Sequence, residues 1–170
     1  MRGVIAILLL ALVGSLSGCA GYRLGPSNGQ SAGDRTVQIV PVANRTLEPR
    51  LGDAATSALR KEIQREGTFR LANDEYTDLI VTCEILRYDR REVTFQSTDV
   101  VTAQDYQLGM SAHVVARERI TGKVVLDRGL TGTALMRVGS DLPSAERQTL
   151  PLLAADLARQ ITAALADGTW

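Results

Sequence analysis

Residues 104–117, QDYQLGMSAHVVAR, alternate polar and apolar side chains along the whole stretch. A period of two places alternate residues on opposite faces of a β-strand, so one face can be buried while the other meets solvent. The apolar set is Tyr106, Leu108, Met110, Ala112, Val114 and Ala116, and the opposite set includes Gln107, Ser111 and His113. We therefore predict a strand that packs one face on a core and leaves a polar face open to solvent or to a partner.

The neighbouring segments show the same alternation. Residues 78–88 form a second predicted strand, and a third runs from Val124 to Ala134 after the hairpin sequence Thr121-Gly122-Lys123. Strands joined by such short turns are antiparallel. Residues 36–42 predict a further strand, which ends at Pro41 or lies at a sheet edge, because proline cannot donate a backbone hydrogen bond.

Two segments have helical periodicity. One helix is predicted from Glu48, with Pro49 in its first turn, to a stop at Gly67. The other begins near the capping residue Asp141 and runs to Leu165, where Pro151 either kinks the helix or separates a short opening turn from it. We predict an α+β domain with a mostly antiparallel sheet of four to five strands and two helices packed on one face. Its predicted core includes Leu59, Ile63, Val81, Ile85, Leu108, Met110, Leu157 and Ile161.

The amino-terminal sequence is typical of a secreted lipoprotein. Arg2 precedes an apolar run over residues 4–13, which is too short to span a bilayer and fits a signal peptide. The run leads to Leu16-Ser17-Gly18-Cys19, which resembles the bacterial lipobox, although an ordinary signal peptide with a chance cysteine is the alternative. We predict a signal peptide over residues 1–18, a lipidated tether over 19–35 that is anchored through acyl chains such as palmitate on Cys19, and a domain over 36–170.

The composition excludes several function classes. Basic and acidic residues are balanced at 19 each, so no overall basic field favours nucleic acid. Cys83 is predicted to be a buried, inert thiol, and His113 is the single histidine, so we expect no metal site. With no glycine-rich phosphate loop and no paired nucleophile and base, we expect no cofactor and no enzyme activity.

One charged stretch indicates a ligand. Arg87, Arg90 and Arg91 cluster at the end of the strand over 78–88, and the planar arginine fork suits phosphate and carboxylate groups. The alternative is a charged strand end that protects a sheet edge from pairing.

The order of several motifs resembles the family of the lipopolysaccharide-assembly lipoprotein LptE. The motifs are Cys19-Ala20-Gly21-Tyr22-Arg23-Leu24, residues 39–49 before the first helix, Asp105-Tyr106-Gln107-Leu108, Thr121-Gly122-Lys123-Val124-Val125, and the closing helix with Gly168 and Trp170. Together they extend over nearly all of the chain after the signal peptide.

The resemblance implies a lipoprotein on the periplasmic side of the outer membrane, a location that Ala20 after Cys19 also favours. It implies an LptD-like outer-membrane β-barrel as partner, in which the lipoprotein acts as a plug and assists assembly. It further implies a role in lipopolysaccharide transport to the cell surface and contact of basic side chains with lipopolysaccharide itself. The alternative from another class is a periplasmic lipoprotein that binds and activates a cell-wall synthesis enzyme.

Overall fold

The computed structural model describes residues 33–73, 76–96, 99–138 and 141–168. The predicted signal peptide, Cys19, most of the tether and Trp170 lie outside these residues. The elements in chain order are β1 (Arg35–Ile39), β2 (Ala43–Asn44), α1 (Leu51–Glu66), β3 (Phe69–Leu71), β4 (Leu79–Gln96), β5 (Asp99–Glu118), β6 (Val124–Arg137) and α2 (Leu142–Ala166).

The strands form one mixed sheet in the order β3-β1-β4-β5-β6, with β2 also paired to β4. Strands β4, β5 and β6 are antiparallel, as their short connections predict. By contrast, β1 runs parallel to both β3 and β4, because α1 returns the chain to the end of the sheet at which β1 began. The α+β class is confirmed, and the sheet is mixed where the alternation alone suggested a mostly antiparallel one.

The first predicted strand ends where Pro41 interrupts it. β1 stops at Ile39, and the chain rejoins the same edge of β4 as β2, at Ala43 and Asn44. One side of β4 is therefore paired with two short segments, which lie on either side of a residue that cannot donate to the ladder.

Both helix predictions are confirmed, with changes at their boundaries. α1 begins at Leu51, so Pro49 lies in the preceding turn, and Gly67 ends the helix with a φ of 81°. Asp141 caps α2 by accepting a hydrogen bond from the Ser144 backbone N–H at 2.9 Å. Pro151 lies inside one continuous helix, which excludes the separate opening turn as one of its two alternatives.

The core lies between the sheet and the two helices. All eight predicted core residues are buried, with at most 1% of their surface exposed. α2 packs so closely on β6 that a Cβ atom on Gly132 would lie 2.7 Å from the Leu157 backbone nitrogen. Beside this contact, the Asp156 carboxylate accepts a hydrogen bond from the Thr133 backbone N–H at 2.9 Å. The helix is thus held against the outer strand by both packing and a polar contact.

A β-bulge at Leu86 changes which residues of β4 face the helices. Ile85 pairs with Ala112 and Arg87 pairs with Ser111, so Leu86 is an extra residue in β4. Past this point the alternation is inverted, and Tyr88 packs against the core. β4 and β5 also extend well beyond the predicted strand ends, to Gln96 and from Asp99.

Candidate anion-binding groove on the open sheet face

The bulge at Leu86 places Arg87, Asp89 and Arg91 on the open face of the sheet, away from the helices. They line a cavity of about 270 Å³, which we call the Arg87–Arg91 groove. Its remaining lining is Gln107, Gly109, Ser111, Thr131 and Thr133 from β5 and β6. The groove is therefore built by three adjacent strands and is polar on every side.

Asp89 holds the two arginines in place. Its carboxylate oxygens lie 3.5 Å from Arg87 Nε and 3.1 Å from Arg91 Nε. Gly109 is its cross-strand neighbour, and a Cβ atom there would approach Asp89 Oδ1 to 3.2 Å. The missing side chain at Gly109 thus leaves room for the carboxylate to lie flat across the sheet.

The charge of the groove favours an anion. Two guanidinium groups face one carboxylate, which leaves one positive charge in excess. The arginine side chains remain 68% and 73% exposed, so their other N–H donors are available to a ligand. Ser111 Oγ and Thr131 Oγ1 lie 3.1 Å apart on the groove floor, and one of these hydroxyls donates to the other, which leaves one hydroxyl hydrogen for a ligand.

Arg90 lies on the opposite face of β4 from the other two arginines. Its Nη1 is 3.3 Å from Glu146 Oε2 of α2, and its guanidinium lies 5.6 Å from the centre of the Tyr106 ring. The Tyr88 hydroxyl donates to the same Glu146. Burial and, secondly, this hydrogen bond raise the pKa of Tyr88, which keeps it protonated. The structure therefore brings Arg87 and Arg91 together and assigns Arg90 a contact between β4 and α2.

Elsewhere on the open face, polar side chains pair with one another. Glu84 accepts from Arg45, and His113 Nε2 lies 2.7 Å from Asp127 Oδ1. His113 is exposed, as its position in the alternation predicts. Within residues 33–73, 76–96, 99–138 and 141–168, no group of three His, Cys, Asp or Glu residues could hold a metal ion.

Cys83 is buried, which confirms its predicted inward position on β4. Burial raises the pKa of its thiol to about 12, so the reactive thiolate form is scarce at neutral pH. Neither α1 nor α2, the helices in the described part of the chain, has the length and apolar character needed to cross a membrane.

Sequence reasoning missed the contributions of Asp89, Gly109 and Thr131. Ser111 was already on the predicted polar face, and the alternation of β6 could have placed Thr131 there as well. No local pattern marks Leu86 as the bulged residue, so the placement of Asp89 required the pairing of β4 with β5.

Solved structures share the fold at low sequence identity. The hypothetical protein CT253 from Chlamydia trachomatis aligns with a TM-score of 0.58 and 12% identity over 78% of this chain and 95% of that one. Protein XCC0632 from Xanthomonas campestris aligns with a TM-score of 0.57 and 9% identity over 85% and 92% of the two chains. A minor lipoprotein from Acinetobacter baumannii aligns with a TM-score of 0.51 and 17% identity over 78% and 92%.

No curated protein sequence matches the chain. The family model described as "LptE: Lipopolysaccharide-assembly" matches residues 35–165. This range begins with β1 and ends one residue before the end of α2, so it contains the whole sheet and both helices. The chain therefore belongs to the LptE lipopolysaccharide-assembly family.

Proposed function

We propose that this protein is an outer-membrane lipoprotein that occupies an LptD-like β-barrel, assists its assembly and takes part in lipopolysaccharide transport to the cell surface. The observation that carries the proposal is the family match over residues 35–165. The lipobox that precedes this range in the sequence supplies the proposed site of lipid attachment. Residues 1–18 are removed as a signal peptide, and acyl chains on Cys19 hold the protein on the periplasmic side of the membrane.

The open sheet face supports a role inside a barrel. A barrel lumen of this kind is polar, so a plug should present polar side chains to it. Gln107, Ser111 and His113 do so from β5, and Thr131 and Thr133 do so from β6. Exposed ion pairs such as Arg45 with Glu84 can exchange partners with lumen side chains at little electrostatic cost.

The protein acts by binding in this proposal, not by catalysis. Its one described thiol, Cys83, is buried and protonated, and His113 is engaged with Asp127 on an exposed surface. The Arg87–Arg91 groove is the proposed contact for lipopolysaccharide phosphate, because bidentate arginine suits that group.

Depletion of the protein in its native bacterium tests the function. We expect the LptD-like barrel to remain immature and lipopolysaccharide to disappear from the cell surface, with both restored by a plasmid copy. A barrel that still matures and exports lipopolysaccharide contradicts the proposal. That result would favour the activator of a cell-wall synthesis enzyme instead.

Charge reversal tests the groove. Arg87→Glu combined with Arg91→Glu should weaken lipopolysaccharide binding by about tenfold or more at low salt, and the difference should shrink as salt rises. The control with the same change in charge is the pair Arg117→Glu and Arg119→Glu, because both arginines are exposed near the end of β5 that lies opposite Leu79 and Ile80. Equal losses in the control and in the groove variant would show that only general charge matters.

A further inference from the structure

The first described residues lie at one end of the sheet, and three hydrogen bonds show which other segments of the chain lie beside them. The Gly33 backbone N–H donates to the Thr68 carbonyl at 3.1 Å, next to the end of α1. The Thr36 backbone N–H donates to Asp78 at 2.7 Å, just before β4. The Arg119 backbone N–H donates to the Asp78 carbonyl at 2.9 Å, which adds the hairpin between β5 and β6. We call this surface the Gly33 end.

Two large apolar side chains lie exposed at the Gly33 end. Ile120, in the hairpin turn, is 94% exposed, and Tyr76 is 87% exposed. Tyr76 is two residues from Asp78, so their Cα atoms are at most about 7.6 Å apart. Ile120 lines a shallow cavity together with Arg35 and Asp78, which places it beside the start of β1. Such exposure of an isoleucine costs solvation free energy unless another surface covers it.

We propose that the Gly33 end rests on the phospholipid leaflet that holds the anchor, with Ile120 and Tyr76 inserted at the membrane interface. The proposal rests on the lipidation of Cys19 in the proposed function. Thirteen residues lie between Cys19 and Gly33, so the two are at most about 50 Å apart, and the anchor raises the local concentration of this end at the leaflet.

The side chains at this end suit a lipid interface. Tyrosine is favoured at headgroup level, because its ring is apolar and its hydroxyl is polar. Arg119 and Lys123 flank Ile120 in the same hairpin and are exposed, so their long stems can lie along the acyl boundary while their charges reach phosphates. A lipid surface covers the apolar groups and pairs with the cationic ones, while the carboxylates of Asp78 and Glu118 in the same cavity already accept hydrogen bonds from Thr36 and Thr121.

The chain offers a matched control farther along the sheet. Leu47 is also fully exposed, at 103% of its reference surface, and it follows β2. β2 pairs with β4 at Ile85, six residues beyond Leu79, which is about 20 Å further along the strand. Leu47 should therefore stay in water when the Gly33 end contacts the leaflet.

Site-specific fluorescence tests the proposal on the acylated full-length mature protein in vesicles of phosphatidylethanolamine and phosphatidylglycerol. Ile120→Cys and Leu47→Cys variants each carry an environment-sensitive fluorophore, and the vesicles contain nitroxide-labelled lipid as quencher. Cys83 is buried, so the unsubstituted protein should take up little label. Circular dichroism checks that both variants are folded.

We expect at least threefold stronger lipid quenching at position 120 than at position 47. Equal quenching at the two positions, in protein that floats with the vesicles, overturns this proposal and leaves the lipid anchor intact. Protein that does not float refutes both the anchor and the membrane contact, so flotation separates the two failures.

Discussion

Replacing Gly132 by alanine tests how closely α2 packs on β6. A Cβ atom at this position would lie 2.7 Å from the Leu157 backbone nitrogen, 2.8 Å from Leu157 Cβ and 3.0 Å from the Leu153 carbonyl oxygen. Most of these neighbours are backbone atoms of a helix, which cannot turn away as a flexible side chain can. Accommodation of the methyl group therefore requires α2 as a whole to move outward from the strand.

The expected loss of stability follows from two opposing effects. Overpacking a core contact costs about 1–3 kcal/mol, and a clash with helix backbone belongs at the upper end of that range. Alanine also restricts the unfolded chain more than glycine does, which stabilises by about 0.4–1 kcal/mol. The net expectation for Gly132→Ala is a loss of about 2 kcal/mol in the free energy of unfolding.

Gly129→Ala is the control, because it lies in the same strand and nothing stands within 4 Å of its added Cβ atom. It should be neutral or slightly stabilising. Urea unfolding followed by circular dichroism measures both variants, and the melting temperature of Gly132→Ala should fall by about 4–8 °C. A loss below about 0.5 kcal/mol for Gly132→Ala, or an equal loss for Gly129→Ala, would refute the close packing of α2 on β6.

Three further predictions address the core, the acid sensitivity and the anchor. Leu157→Ala should lower the free energy of unfolding by about 2–5 kcal/mol, because the side chain is only 1% exposed. A loss below about 0.5 kcal/mol would mean that α2 does not pack on the sheet. The pKa of Asp78 is lowered chiefly by the hydrogen bond from the Thr36 backbone N–H and secondly by the one from the Thr36 hydroxyl. The ionised carboxylate therefore stabilises the fold at neutral pH, and this stabilisation is lost as pH falls below about 4. Asp78→Asn should therefore unfold more easily than the wild type at pH 7, with the difference shrinking in acid; a constant difference across pH would contradict this. Cys19→Ala should accumulate unprocessed precursor without acyl label, and unchanged labelling would exclude Cys19 as the anchor.

The periodic elements could be predicted because their cause is local. The alternation over residues 104–117 set the inward positions of Leu108 and Met110, and the helical stripe set those of Leu59 and Ile63. Each pattern arises because one face of the strand or helix is buried, and this holds whatever the order of the strands in the sheet. The parallel edge at β1 depended on the return path of α1, which no local pattern contains.

The site was only partly predictable because its geometry depends on strand pairing. Arg87, Arg90 and Arg91 are close in sequence, which suggested one group. The alternation of the strand places Arg90 on the face opposite the other two, and the bulge at Leu86 turns that face toward Glu146 on α2. The position of the extra residue in β4 depends on how β4 fits against β5 and α2. That fit exists only in the assembled sheet.

The contact between Asp156 and Thr133 also determines how other chains can approach β6. A strand joining the sheet beside β6 would need the Thr133 backbone N–H, and the Asp156 carboxylate already accepts it. Recruitment of a neighbouring strand at this point would require α2 to release that bond. Backbone pairing at this point of β6 is thereby disfavoured, so recognition there depends on side chains, whose identity differs between proteins, more than on the backbone, which all proteins share.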